Sequence, residues 1–313
     1  MKIGSYFLLL LVGIVIYGCV KEIQLDTKQI APIPVVNCLF TPDSTWTVFV
    51  ATTKLLNDPG TALISNAIVS IYADNQLIEN LILGQAGQYK GYTKPQIGIY
   101  YTLKVQIPGF PEVTSSDAIP QPVAVIHATA KLKESFEAHC DPACTAMLVQ
   151  FSDPVSIENF YEIEVYRYRR IFGSDSLVLE YILGSTSSGS ASFGTSTDPV
   201  LLAEGDLEYV PTTVFFSDGL LAGNAPATVT FDLGGIAQSG GLNAIVRLRS
   251  VSKDYYLFRK SWTRHFNRQW INPNGSAAPG TVFYTPPLDL TTNIQGGLGI
   301  FAGFSSDTIV AIE

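Results

Sequence analysis

Short runs in which apolar and polar residues alternate recur along most of this chain. The run YYTLKVQI (100–107) is the clearest, with Tyr101, Leu103 and Val105 at every second position. Because successive side chains of a β-strand point to opposite faces, this spacing predicts a strand with one buried face. Similar runs separated by turns rich in Gly, Pro and Asn predict a mainly β protein.

The order of these runs predicts two β-sandwich domains. A chain of 313 residues is long for one hydrophobic core. Runs from residue 34 onward predict an N-terminal sandwich of immunoglobulin-like or transthyretin-like type at 33–120. Residues 121–313 are predicted to form a fibronectin-III-like β-rich domain with inserted loops, of which the Gly/Ser-rich stretch 184–198 is one.

The segment 252–271 has a period of about 3.6 instead of two. Aromatic residues recur there every three or four positions, which predicts an amphipathic helix. Ser252 is expected to cap its start, Asp254 suits the positive first turn, and Pro273 prevents continuation. We expect four rings of one helix face to be buried against the sheet of the C-terminal domain: Tyr255, Phe258, Trp262 and Phe266.

The first 18 residues are organised like a bacterial signal peptide. Lys2 precedes an apolar run from Tyr6 to Ile16, which is shorter than the ~20 residues that a membrane span needs. The letters IYGC (16–19) resemble a lipobox, in which cleavage leaves the cysteine as a lipid-bearing N-terminus. This predicts a signal peptide at 1–18, lipid on Cys19 and a tether at 19–32. An ordinary secretory signal with an incidental cysteine is the alternative.

Three further cysteines follow. Cys38 lies in the apolar run PVVNCLF and is predicted to be an inert core thiol. Cys140 and Cys144 flank an Asp-Pro turn, which makes them a candidate disulfide in an oxidising envelope. His139 precedes Cys140, so a zinc site is the alternative. Zinc usually takes four ligands and only three adjacent candidates exist, so no metal site is predicted.

The sequence contains no recognisable catalytic motif. The histidines His127, His139 and His265 are scattered, and neither H-E-x-x-H nor G-x-S-x-G occurs. The glycine-rich run GGLGIFAG does not have the glycine spacing of a nucleotide-binding loop, and no helix is predicted after it. We therefore interpret it as a structural turn. Asp153 and Asp218 are interpreted as turn residues rather than as paired catalytic carboxylates. No catalytic residue, cofactor or enzymatic activity is therefore predicted.

Basic residues concentrate near the predicted helix, although the chain has a net charge of −8. Seven Lys and Arg fall within 247–268, and none occurs in 171–246 or 269–313. A solvated face with ion pairs is the simpler interpretation. The alternative is a basic patch for an anionic partner, such as lipopolysaccharide or an acidic receptor surface. Nucleic acid is not expected as a partner. The candidate patch is an i, i+4 row on the helix: Lys260, Arg264 and Arg268.

Several stretches, in order along the chain, also resemble a known family. They include VVNCLFTPDSTWTVFV, NAIVSIYADNQLIENLILGQAGQYKGY, FFSDGLLAG, VRLRSVSKDYYLF and, most specifically, NIQGGLGIF (293–301). Together they resemble a family of Bacteroidetes outer-membrane lipoproteins built on a domain of unknown function. Its members are often encoded beside TonB-dependent receptors. The resemblance implies an outer-membrane, lipid-anchored accessory protein with such a receptor as partner, and it leaves the periplasmic or cell-surface face open.

Two functional hypotheses follow. The first is a non-enzymatic, lipid-anchored binding or accessory protein of the cell envelope, acting with a TonB-dependent receptor in nutrient uptake. The alternative is an envelope hydrolase acting on glycans or peptides, which would need a cleft with converging carboxylates or a nucleophile–base pair.

Overall fold

The computed structural model describes residues 31–55, 58, 60, 62–134, 143–154, 157–170, 177–181, 192–193, 198–205, 214–221, 226–234, 244–269 and 288–312. The predicted signal peptide, Cys19 and Cys140 lie outside these ranges, as does the side chain of Cys144. Lipid attachment and the disulfide therefore stay predictions. In the described part of the segment 54–59, the Lys54 Nζ donates to the Asp58 carbonyl oxygen at 3.0 Å.

The described residues of 33–53 and 60–313 belong to one compact unit, which contains all the sheets and helices that follow. It is mainly β, as the sequence predicts, and is built from several open sheets in the manner of β-sandwiches. The two α-helices described are α1 (Pro199–Ala203) and α2 (Lys253–Gln269). The strands are β1 (Pro34–Phe40), β2 (Thr47–Thr52), β3 (Ile68–Ala73), β4 (Gln76–Asn80), β5 (Ile82–Gln85), β6 (Gln88–Lys90), β7 (Tyr100–Gln106), β8 (Val113–Ala118), β9 (Val125–Glu134), β10 (Ala143–Phe151), β11 (Phe160–Arg170), β12 (Leu177–Tyr181), β13 (Ser192–Phe193), β14 (Val214–Ser217), β15 (Ala227–Gly234), β16 (Ala244–Val251) and β17 (Leu298–Val310).

One hydrophobic cluster lies between the sheet β4-β3-β7-β8 and the strands β1, β2 and β17. The period-two pattern of β7 produces it directly, because Tyr101, Leu103 and Val105 are buried while the residues between them are not. Trp46 lies in the same cluster, with its ring centroid 5.0 Å from that of Phe40. Cys38 is also buried there, which confirms the prediction of a core thiol, and burial raises the pKa of its thiol to about 12.

A second cluster lies between the sheet β13-β15-β10-β9 and the strands β11, β14 and β16. Apolar residues at alternate positions of these strands face one another, for example Met147 and Val149 on β10 and Ile163 and Val165 on β11. Burial of such side chains is the main stabilising contribution to a sandwich.

The C-terminal strand β17 connects the two clusters. Residues 298–303 pair in parallel with β1, and residues 304–310 pair antiparallel with β16. A single nine-stranded sheet therefore carries strands of both sandwiches, in the order β12-β11-β16-β17-β1-β2-β6-β5 with β14 on β11. The domain limits drawn from the sequence stay a prediction.

Helix α2 confirms the predicted amphipathic helix but faces the sheet differently than expected. The Ser252 Oγ accepts a hydrogen bond from the Tyr255 N–H at 3.3 Å, as a capping side chain should. Tyr255 and Tyr256 are buried, but Trp262 is 45% exposed, so its predicted burial was wrong. The physical reason is a buried carboxylate beneath the helix, described below, which draws Arg259 inward and turns Trp262 to the edge. The side chain of Phe266 lies outside the described residues. Neither described helix is long and apolar enough to cross a membrane.

Candidate binding cleft

A cleft of about 930 Å³ lies between α2, the segment 288–292 and the outer face of β1, β2 and β17. Small-molecule sites usually have volumes of ~300–1,000 Å³ and are mostly apolar with a few polar groups. The lining has this character, because aliphatic and aromatic side chains dominate it. It consists of Val35, Asn37, Cys38, Leu39, Thr47, Phe49, Phe258, Arg259, Trp262, His265, Leu288, Asp289, Leu290, Thr292, Leu298, Gly299 and Ile300.

The strand pattern explains why apolar side chains face this cleft. In β1 the residues Val36, Cys38 and Phe40 point into the core, so Val35 and Leu39 must point outward. Leu39 is 41% exposed. Three more cleft residues are comparably exposed, and together they form an apolar surface of the kind that marks binding sites: Phe49, Trp262 and Leu298.

Hydrogen bonds hold the segment 288–292 against α2. The His265 Nδ1–H donates to the Leu288 carbonyl oxygen at 2.6 Å, and the Thr291 N–H donates to the Ser261 Oγ at 2.9 Å. The segment thus forms a wall of the cleft whose position depends on the helix. His265 is fixed as a structural donor in this arrangement.

A buried charge cluster lies beneath the helix, next to the cleft. Glu162 on β11 is fully buried, and Arg249 on β16 donates to it at 3.0 Å. The Tyr255 hydroxyl donates to the same carboxylate at 2.6 Å, and Arg259 approaches it at 3.4 Å. A buried carboxylate of this kind is tolerated only when cations and donors surround it.

Glu164 extends this cluster along the same strand. The Arg249 Nη2 lies 3.0 Å from Glu164, and the Tyr166 hydroxyl donates to it at 2.7 Å. Burial raises the pKa of the Glu164 carboxyl and Arg249 opposes that rise. Burial and the adjacent Glu164 raise the pKa of Tyr166 to about 12. These carboxylates are bound by cations and hydroxyls, so their geometry is that of a structural network rather than of a free catalytic base.

Lys260, the first residue of the candidate basic patch, forms an ion pair within the protein. The Lys260 Nζ contacts the Glu204 carboxylate, and the Tyr256 hydroxyl donates to the same group. Burial alone would raise the pKa of Glu204, but the hydrogen bonds from Lys260 and Tyr256 outweigh it and lower the pKa. The Lys260 side chain is only 13% exposed and is paired with Glu204, which fits the simpler interpretation of a face with ion pairs, and its part in a partner-binding row stays a prediction. Arg264 is partly buried and interacts within the protein, and the side chain of Arg268 lies outside the described residues.

The two aspartates interpreted as turn residues have structural contacts. Asp153 is buried and accepts a hydrogen bond from the Tyr161 hydroxyl at 2.5 Å, and burial raises the pKa of its carboxyl. Asp218 accepts from the Asn159 backbone N–H at 2.8 Å. Neither carboxylate lines the cleft.

The motif NIQGGLGIF (293–301) is a close-packed crossing of backbones. The Asn293 side chain accepts from the Phe301 N–H at 3.0 Å and donates to its carbonyl oxygen at 2.7 Å, which clamps the start of β17. Gly299 has φ +112°, and a Cβ there would lie 2.1 Å from the Val36 carbonyl oxygen. A Cβ on Gly297 would lie 2.8 Å from the Pro34 carbonyl oxygen. The glycines therefore allow β17 to pair with β1, and the interpretation as a structural element fits these contacts.

This motif was also the most specific part of the family resemblance. Residues 20–309 match the family described as Domain of unknown function (DUF4249). The chain belongs to the DUF4249 family. A comparison with curated proteins finds no match. Within the part of this DUF4249 protein that the structure describes, no group of three or more His, Cys, Asp or Glu is placed to hold a metal ion.

Sequence reasoning missed both the cleft and the charge cluster, although each had a signal. The run PVVNCLF is apolar at outward positions as well as inward ones, which indicates a strand covered on both faces. The cluster is indicated by E-x-E at 162–164 and R-x-R at 247–249. In the antiparallel register Glu162 lies opposite Arg249, and Glu164 lies opposite Arg247.

Proposed function

We propose that this DUF4249 protein is a lipid-anchored binding protein of the outer membrane that holds a ligand in the cleft beside α2. In this proposal Cys19 carries the anchor and a TonB-dependent receptor is the partner that receives the cargo. The observation that carries the proposal is the clustering of exposed apolar side chains from three strands and a helix around one cleft.

Binding rather than hydrolysis is proposed because of how the polar groups near the cleft are used. The carboxylates of Glu162 and Glu164 are surrounded by arginine and tyrosine donors. The Nδ1 of His265 is bonded to a backbone carbonyl. A hydrolase would need such groups directed at a substrate with a nucleophile or water between them.

The anchor is tested by Cys19→Ala. If Cys19 carries lipid, the variant should stay unprocessed or become soluble when the cell envelope is fractionated. A mature Cys19→Ala protein that still sediments with the outer membrane would refute the lipid attachment.

The cleft is tested by a matched pair of variants on one helix. Trp262 lies in the cleft and is 45% exposed, whereas Leu257 is 38% exposed and is not among the lining residues. Tagged proteins are purified from the native host in mild detergent, and co-eluting receptor and extractable small molecules are quantified. Trp262→Ala should reduce the recovered cargo severalfold, and Leu257→Ala should not. Equal recovery with both variants would contradict a role for the cleft, and consistent absence of the receptor would contradict a stable complex with it.

A further inference from the structure

We propose that the ligand of the cleft is an amphipathic molecule of the fatty-acid class with one carboxylate group. In this proposal Arg259 binds the carboxylate. This inference rests on the proposed function of the cleft and adds the chemistry of the ligand. It follows from the position, the partners and the surroundings of one arginine.

Arg259 makes the longest of the three contacts to the buried Glu162 carboxylate. Its Nη2 lies 3.4 Å from Glu162, whereas Arg249 and Tyr255 reach the same carboxylate at 3.0 and 2.6 Å. Within the described part of the chain, the buried Nε of Arg259 has no hydrogen-bond partner. A guanidinium group has five N–H donors, so Arg259 retains capacity for a further acceptor.

The charge balance of the cluster also favours an anionic ligand at Arg259. In the described residues, three guanidinium groups, of Arg247, Arg249 and Arg259, surround the two carboxylates of Glu162 and Glu164. The cluster therefore has one cation more than it has carboxylates, and Arg259 is the member of the cluster that lines the cleft, whereas Arg247 and Arg249 are not among the lining residues. The Arg259 side chain is 27% exposed and lies in the cleft wall, so a ligand in the cleft can reach it. A carboxylate is the planar acceptor that matches a guanidinium group.

The rest of the lining selects the body of the ligand and limits its charge. Around Arg259 the cleft presents the apolar side chains described above, which favour an aliphatic or aromatic chain. Asp289 also lines the cleft, and among the described lining residues it is the one carboxylate. A cation that is already partly neutralised by Glu162, with the Asp289 carboxylate nearby, suits a monoanion and disfavours a polyanion such as a phosphorylated glycolipid. His265 is committed to the Leu288 carbonyl through Nδ1.

The test compares two photoreactive probes that differ in charge and by one methyl group. A medium-chain fatty acid carrying a diazirine and its methyl ester are each crosslinked to the full lipoprotein in lipid nanodiscs, and labelled peptides are mapped by mass spectrometry. The acid should label peptides of the cleft about tenfold more than the ester, because loss of a charge-assisted hydrogen bond costs about this factor in affinity. This comparison uses the unmodified protein and does not depend on any variant folding.

Variants then assign the preference to one side chain. Arg259→Gln should bring acid and ester to equal labelling, and Arg259→Lys should keep part of the preference. Arg264→Gln, five residues further along α2 and outside the cleft lining, should leave the preference unchanged. Thermal unfolding of each variant is measured alongside, because Arg259 also contacts Glu162.

The possible failures are distinguishable. Equal labelling of the cleft by acid and ester in the unmodified protein would overturn the carboxylate proposal and leave an apolar binding cleft. A preference for the acid that persists in Arg259→Gln would overturn the role of Arg259. Labelling of the cleft by neither probe would count against both this inference and the proposed function.

Discussion

Replacing Gly299 by alanine should strongly destabilise the protein, because two independent costs meet at this position. Its φ of +112° is a conformation that an alanine adopts only with strain. The added Cβ would also lie 2.1 Å from the Val36 carbonyl oxygen and 2.8 Å from the Asn37 Oδ1. The first contact is with backbone, so no change of side-chain conformation can relieve it, and the β1–β17 pairing must open.

Alanine variants of three other glycines measure the cost of backbone strain and the cost of crowding separately. For Gly109, φ is +85° but no described heavy atom lies within 4 Å of the position that an added Cβ would occupy, so Gly109→Ala measures strain alone, about 1–2 kcal/mol. A Cβ on Gly303 would lie 2.6 Å from the Ala118 carbonyl oxygen without positive φ, so Gly303→Ala measures crowding, about 1–3 kcal/mol. Gly219 has neither problem, and Gly219→Ala should be neutral or slightly stabilising.

The expected loss for Gly299→Ala is therefore about 2–5 kcal/mol in the free energy of unfolding, the sum of those two ranges. Typical domains have ~5–15 kcal/mol in total, so this variant should be barely stable. Urea unfolding followed by circular dichroism and tryptophan fluorescence gives all four values under one condition. A Gly299→Ala protein within ~0.5 kcal/mol of Gly219→Ala, the scatter expected for a harmless surface change, would refute the close-packing account of the NIQGGLGIF motif.

Three further predictions concern charge and exposure. Glu162→Gln should lower the free energy of unfolding by about 3–5 kcal/mol, because it leaves buried guanidinium groups uncompensated. The control Lys253→Ala breaks a solvent-exposed ion pair and should cost less than ~1 kcal/mol. Equal losses for the two variants in urea titrations would contradict the structural role of the buried network. Burial raises the pKa of Asp117 to about 6, above its value of 3.8 in the unfolded chain, so the folded state binds the extra proton and stability should increase as the pH falls from about 7 to about 4. Asp117→Asn should remove up to ~3 kcal/mol of that pH dependence, and an unchanged difference between pH 7.5 and pH 4 would show that Asp117 is not the titrating group. Trp262→Ala should cost only about 1 kcal/mol in urea unfolding, since its ring is half exposed, and a loss above ~3 kcal/mol would mean that the ring is buried.

Local pattern was sufficient to predict the parts of this protein that depend on neighbouring residues in the chain. The alternation in β7 predicts its buried face because the β-strand period is a property of the backbone. Ser252 predicts the start of α2 because capping involves residues three positions apart. The mainly β class and the core position of Cys38 follow from the same short-range rules.

Tertiary structure alone decided which faces meet. The orientation of α2 depends on Glu162, which is 97 residues away from Arg259 in the chain, and no local period contains that contact. The cleft exists because β17 pairs in parallel with β1 across the whole sequence and brings Leu298 beside Val35. Periodicity defines the two faces of a strand or helix, but the partner of each face is set by long-range packing and by the need to neutralise buried charge.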